Sequence, residues 1–243
     1  MNDSLILGLI VFVSSLIGTF TGFGSSTIMV PLMLAFYPWN QTLFLAGIII
    51  WFVDWWKVLL FRQKIDLKPL LWFALAGISF SWLGSQLTAY TQAWHLRLLG
   101  GVLVVIVIMA NLKHLIKLSP NKRTDILGGS LSGLLAGLFG IGGPVRSVFL
   151  SNFPYSNSGY LMASGITGLL IDTTRILGYL KLGDQLTDQL RSSLWWLIII
   201  SFVGAKIAHS LNHHLSAKHY HLIVALLLIA LGIHLMIAPA HLD

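Results

Sequence analysis

The chain has 243 residues, of which 56% are hydrophobic and only 9% charged, with a formal net charge of +7 and no cysteine. Soluble domains typically carry about 25% charged residues, so this is an integral membrane protein, with length for roughly seven to nine spans of about 20 residues each. Disulfides, zinc thiolate sites and thiol catalysis are excluded. The basic residues are dispersed over short loops and span ends, as retention at a cytoplasmic face produces, which argues against nucleic-acid binding.

The first apolar segment, Leu5 to Phe36, follows Met-Asn-Asp-Ser with no basic leader and is read as retained. As one helix it would measure about 48 Å, well beyond a ~30 Å hydrocarbon core. Gly22, Gly24, Ser25, Ser26 and Pro31 interrupt it, because clustered glycines weaken a helix and proline removes a backbone donor. The segment is therefore expected to break and partly double back. Tyr37-Pro38-Trp39-Asn40 reads as an interfacial turn, and the next span, about Thr42 to Phe61, carries Asp54 and Lys57 in its interior. Arg62, Lys64 and Lys68 form a basic loop, after which Pro69 opens an uncharged span to about Tyr90. A fourth span, Leu98 to Leu112, ends in Lys113, Lys117, Lys122 and Arg123 around Ser119-Pro120-Asn121.

That polar stretch is the natural boundary between two membrane repeats, 1–120 and 121–243. From Ile126 to Val145 runs a second broken segment, containing Gly140-Ile141-Gly142-Gly143-Pro144 and followed at once by Arg146. The sixth span, about Gly159 to Leu180, contains Asp172 and Arg175; Trp195 to Leu211 carries Lys206; Leu222 to Ala238 is the last span. An offset of 118 residues superimposes Gly22 on Gly140, Gly24 on Gly142, Asp54 on Asp172 and Lys57 on Arg175. With two extra loop residues in the second half, Gly84 also meets Gly204. Matches in this order indicate an internal duplication, and paired Gly/Pro-broken segments are a pointer to a transporter's substrate site. Parallel and inverted arrangements of the halves each put nine basic residues inside and three outside. Segment length, and termini without Lys or Arg, favour the inverted, re-entrant version.

Phe139-Gly140-Ile141-Gly142-Gly143-Pro144 resembles the second copy of the duplicated Gly-x-Gly-Gly-Gly motif, with a proline a few residues later, of the TauE/SafE family of sulfite-exporter-like permeases. Gly22-Phe23-Gly24-Ser25-Ser26 with Pro31 is similar to the first copy, with serines in place of two glycines. The resemblance extends over nearly the whole chain. It implies a secondary transporter of small anions, often sulfur-containing ones such as sulfite or organosulfonates, and leaves the individual substrate open.

A half-helix N-terminus inside a membrane offers unpaired N–H groups and a positive dipole end to an anion. The expected substrate-binding set is Gly22, Gly24, Ser25, Ser26, Gly140, Gly142, Gly143, Pro144 and Arg146, helped by Lys57 and Arg175; Thr27 could add a hydroxyl. Tight helix packing is the alternative role for the glycines. Asp54 with Lys57, and Asp172 with Arg175, share a helix face. Two readings stay open: structural ion pairs, or basic groups on the anion with an aspartate taking up a proton. Lys206 reads as a snorkelling residue and Trp39, Trp94, Trp195 and Trp196 as interfacial anchors, whereas Trp51 and Trp55 could line the pathway.

The expectation is an all-α integral membrane protein in two inverted repeats, each with one re-entrant segment and three transmembrane helices. It would be a secondary active transporter of small anions working by alternating access, with protons as a coupling candidate, in the bacterial cell inner membrane. No cofactor, metal, nucleic acid or catalytic role is expected, and a homo-oligomer stays open. The rival readings are an anion channel, a structural or receptor-like membrane subunit, and an intramembrane metal-dependent enzyme using His209, His213, His214, His219 and His221 with Asp172 or Asp184.

Overall fold

Left-handed glycines end both broken helices. In a computed structural model of the protein, which describes residues 3–90, 101–102, 105 and 121–211, α1 runs Asp3–Thr21 and stops at Gly22, φ 71°. After Gly24, φ 88°, the chain resumes as α2, Ser26–Leu34. The second break repeats this: α5, Lys122–Phe139, stops at Gly140, φ 71°, and α6 begins at Gly143 and ends at Leu150. Only glycine reaches this region without a Cβ penalty. Pro144 falls in the first turn of α6, where its missing N–H loses no intrahelical bond. Pro31, expected to contribute to the first break, lies inside α2 instead, so the glycines alone make it.

After each break the chain lies back against the helix it has just left. A Cβ on Gly18 would overlap the backbone of Ser25, and Ser132 Oγ of α5 donates to the Gly142 carbonyl at 3.0 Å. The remaining helices are α3, Trp39–Leu60; α4, Leu70–Leu87, closed by a 3-10 turn at Thr88–Tyr90; α7, Asn157–Lys181; and α8, Asp188–Leu211. The starts of α3 and α7 lie 118 residues apart, and so do those of α4 and α8. Gly84 lies against the backbone of α5 at Leu134 and Leu138, and Gly204 against the backbone of α1 at Phe12 and Leu16. The expected span Leu222 to Ala238 lies outside the described residues, as do most of Leu98 to Leu112, Trp94 and the histidines from His213 to His221.

The helices interlock across the chain. Helix α4 packs on α5 and α7, α8 packs on α1 and α3, and α3 crosses α7 at the centre. The α4–α5 contact is backbone against backbone: Cβ atoms on Gly129, Gly133 and Gly137 would overlap the carbonyl oxygens of Phe73, Gly77 and Ser81. Small residues one turn apart permit this approach, as they do in membrane bundles generally. Polar side chains tie further crossings, with Ser81 Oγ donating to Ile171 O at 2.9 Å and Trp56 Nε1 to Ser201 Oγ at 3.1 Å.

The outer surface is apolar, with Leu5, Leu9, Leu71, Trp195 and Ile199 exposed, while Asp54, Lys57, Arg146, Asp172 and Arg175 are buried. This inverts the distribution of a soluble protein. Among the described residues four helices are long and apolar enough to cross a membrane: Ser4–Thr21, Trp39–Leu60, Leu70–Tyr90 and Asp188–Leu211. Helices α5 and α7 are richer in Gly, Ser and Thr because their faces meet other helices and the buried charges.

Valine at Gly133 must push α4 from α5. Overpacking of this kind costs about 1–3 kcal/mol, so Gly133→Val is expected to lower the thermal unfolding midpoint of detergent-purified protein, measured by intrinsic tryptophan fluorescence. An unchanged midpoint would contradict the close α4–α5 contact.

Candidate functional site

The two breaks touch at their tips. A Cβ on Gly24 would lie 2.9 Å from Gly143 Cα, a Cβ on Gly143 would lie 2.9 Å from Gly24 Cα, and the Phe23 carbonyl sits against Gly143. Gly22 is held from α7, where the Tyr160 hydroxyl donates to its carbonyl at 3.1 Å. The expected glycine motifs are thus brought together, with Ser25, Ser26, Pro144 and Arg146 buried beside them. Ser25 Oγ has no hydrogen-bond partner among the described residues, and the N-terminus of α2 has no side-chain cap. Thr27 is committed elsewhere: its hydroxyl donates to Phe23 O at 3.2 Å.

Beside the tips lie the charged residues of α3 and α7. Lys57 Nζ meets Asp54 Oδ1 at 2.7 Å, and Arg175 Nε meets Asp172 Oδ1 at 2.7 Å, each an i,i+3 pair on one helix. Arg146, from the start of α6, reaches across to Asp54 Oδ2 at 3.4 Å. Asp172 lies within electrostatic reach of Asp54 and Arg146 as well as Arg175, so the two pairs form one cluster. Three cations and two carboxylates, each with 3% exposure or less, leave one positive charge in excess. Nη1 and Nη2 of Arg175 have no hydrogen-bond partner among the described residues, and neither has Arg146 Nε. Tyr179 adjoins the Arg175 guanidinium, with its own hydroxyl donating to Gly137 O at 2.6 Å.

Glycines absent from the sequence-derived set make room for these charges. A Cβ on Gly168 would overlap Asp54 Oδ2 and lie 2.5 Å from Arg146 Nη1. Gly165 lies against Asp54 O and Lys57 Cβ, at 2.8 and 3.1 Å from a Cβ, while Gly47 lies against Arg175 Cζ and Ile176 Cγ1, at 3.8 and 3.3 Å. Each of α3 and α7 thus presents a glycine beneath the other's basic residue. A signal existed, since Gly47 and Gly165 both stand seven residues before their aspartates. Gly140 in turn faces Arg175 Nη1, 3.3 Å from a Cβ.

Other sequence candidates lie away from the cluster. Trp51 stacks on Trp55 and donates from Nε1 to Thr173 Oγ1 at 2.8 Å, and Trp55 is exposed on the outer face. Trp51 thus tethers α3 to α7. Lys206 is exposed with Nζ 5.9 Å from the Phe202 ring. His209 packs edge-on against Phe61, ring centroids 4.9 Å apart.

A helical bundle with an apolar exterior, interior helix breaks and buried charge defines a polytopic membrane protein of the transport class. A family model described as sulfite exporter TauE/SafE matches residues 7–235, nearly the whole chain, and the protein belongs to that family. No curated protein and no solved structure matches the chain.

If Asp54 holds Lys57 in place, Lys57→Met leaves a buried carboxylate short of a partner. Breaking one side of a buried pair costs about 3–5 kcal/mol. Asp54→Asn leaves both Lys57 and Arg146 without that carboxylate, so the double variant is expected to lose less than the sum of the two single losses in a denaturant titration. Strict additivity of the two losses would mean that the pair is not coupled.

Proposed function

We propose that the protein is a secondary active transporter of small sulfur-containing anions, sulfite or organosulfonates, in the bacterial cell inner membrane. The observation that carries the reading is the buried cluster of Lys57, Arg146 and Arg175 against Asp54 and Asp172, one positive charge in excess, beside the glycine tips of both breaks. An isolated charge at the bilayer centre costs roughly 2.5–3.5 kcal/mol on insertion scales, so the excess positive charge favours a bound anion. The fork of Arg175 supplies two parallel N–H donors of the kind that suit an oxyanion bidentately. Gly22, Gly24, Gly140, Gly142 and Gly143 let the ligand approach the backbone, with Ser25, Ser26 and the α6 start at Pro144 beside it.

Two inverted repeats are the framework of this reading. It is supported by the common 118-residue spacing of helix starts, by the fold-back after Gly22 and Gly140, and by the reciprocal contacts of Gly47 with Arg175 and Gly165 with Lys57. Alternating access would be rocking of one repeat against the other about the glycine tips, with a proton as the coupling ion.

The test is a thermal-shift panel on purified protein with methanesulfonate, sulfoacetate, taurine, sulfite, sulfate, acetate and chloride. A ligand at 100 times its Kd adds about 2.7 kcal/mol to the folded state, so stabilisation by sulfite or a sulfonate above chloride and acetate is expected. Arg175→Gln should weaken that binding at least tenfold without a matching loss of protein abundance. Uptake of the stabilising anion into proteoliposomes should saturate. No stabilisation by any anion, or equal binding to Arg175→Gln, would overturn the reading, and non-saturating flux would replace it with a channel.

A further inference from the structure

The two buried aspartates of the cluster are not equivalent. Asp54 has a cation on each oxygen, Lys57 Nζ at 2.7 Å from Oδ1 and Arg146 Nη2 at 3.4 Å from Oδ2. Asp172 has Arg175 Nε at 2.7 Å from Oδ1, but its Oδ2 is buried with no hydrogen-bond partner among the described residues. The difference originates in the short helices that follow the breaks. Helix α6 contributes Arg146, whereas α2 contains no charged residue, and the position 118 residues before Arg146 is Ile28. Helix α2 therefore offers Asp172 no counterpart to the arginine that completes Asp54.

An ionised carboxylate oxygen buried without a donor bears its full desolvation cost. A proton on Oδ2 removes the charge and turns an unsatisfied acceptor into a donor. Among the described residues, titratable and charged groups face Asp172 from three helices. On α7 itself they are Arg175 and Tyr179, on α3 Asp54 with its partner Lys57, and on α6 Arg146. Helix α4 carries no titratable side chain, and the charged residues of α5, Lys122, Arg123 and Asp125, lie in its first turn, at the opposite end from the break.

We propose that Oδ2 of Asp172 is the site at which a proton binds together with the anion, while Asp54 serves as the anchor of Lys57 and Arg146. This rests on the anion-transport reading above and assigns its coupling ion to one atom. The proton comes from water on the side to which the site is open, forms the O–H bond at Oδ2, and returns to water when the anion leaves. Protonation raises the excess charge of the cluster from one to two, so proton and anion each strengthen the binding of the other. The sign follows: affinity is highest when Asp172 is protonated, and above its midpoint falls roughly tenfold per pH unit, the slope of a single linked proton.

The experiment counts protons taken up when methanesulfonate, which keeps its single charge at every pH used, binds to purified full-length protein. Uptake is read calorimetrically in buffers of different ionisation enthalpy. Wild type is expected to take up close to one proton per anion above the midpoint. Asp172→Asn is expected to take up none and to bind with an affinity that no longer falls as the pH rises. Asp54→Asn should lower thermal stability yet keep the proton uptake of whatever anion it binds. Should Asp172→Asn fail to fold, Asp172→Glu keeps a carboxyl at the site and is expected to shift the midpoint of the pH dependence. Anion binding by wild type without proton uptake would overturn the assignment alone, as would uptake preserved in Asp172→Asn or a midpoint unmoved in Asp172→Glu. Absence of any sulfonate or sulfite binding to wild type would overturn the transport reading and this assignment with it.

Discussion

Hydrocarbon offers no hydrogen bonds, so a backbone that stops being helical inside a membrane protein must be enclosed by protein or line a cavity. This constraint governs the molecule. The two interruptions, at Gly22–Ser25 and Gly140–Gly142, do not face the outside; they meet each other at Gly24 and Gly143. Their enclosure requires α7 over one break, through Tyr160 on Gly22, and the α5 hydroxyl of Ser132 over the other. Close packing extends to the helices around them, where α4 and α5 meet through glycines rather than through leucines.

Charge obeys the same rule more severely. Lys57 and Arg175 are fully buried, and each has a carboxylate one helical turn away on its own helix. The pairing is built into α3 and α7 before any tertiary contact forms, since residues three apart share a helix face. Arg146 is different, because its partner Asp54 belongs to another helix and the 3.4 Å contact exists only when α6 docks on α7 and its arginine reaches α3. It also unbalances the cluster, adding the third cation to two carboxylates. Membership of the TauE/SafE family gives that imbalance a context in membrane transport.

Much of this was legible in the linear chain because bilayer proteins follow few rules. Composition excluded a soluble domain, the clustered glycines marked both breaks, and the 118-residue offset aligned Asp54 with Asp172 and Lys57 with Arg175. Some details failed for local reasons. Pro31 looked like part of a break but is accommodated within α2. Trp51 and Trp55 shared a helical face with candidates for the pathway, yet Trp51 is drawn to Thr173 and Trp55 to the outer surface.

By itself, then, the sequence determined the class, the two interruptions and the intrahelical ion pairs, since each depends on residues near one another in the chain and on the bilayer as solvent. Only the tertiary structure decided which groups are left unsatisfied. That among the described residues Asp54 has both oxygens paired and Asp172 one, that the terminal nitrogens of Arg175 find no hydrogen-bond partner there, and that Gly168 vacates the space for Asp54 and Arg146 all depend on helices distant in the chain. Periodicity identifies the face on which a residue lies. The partner it meets there is set by how α3, α6 and α7 cross, which no spacing along one helix encodes.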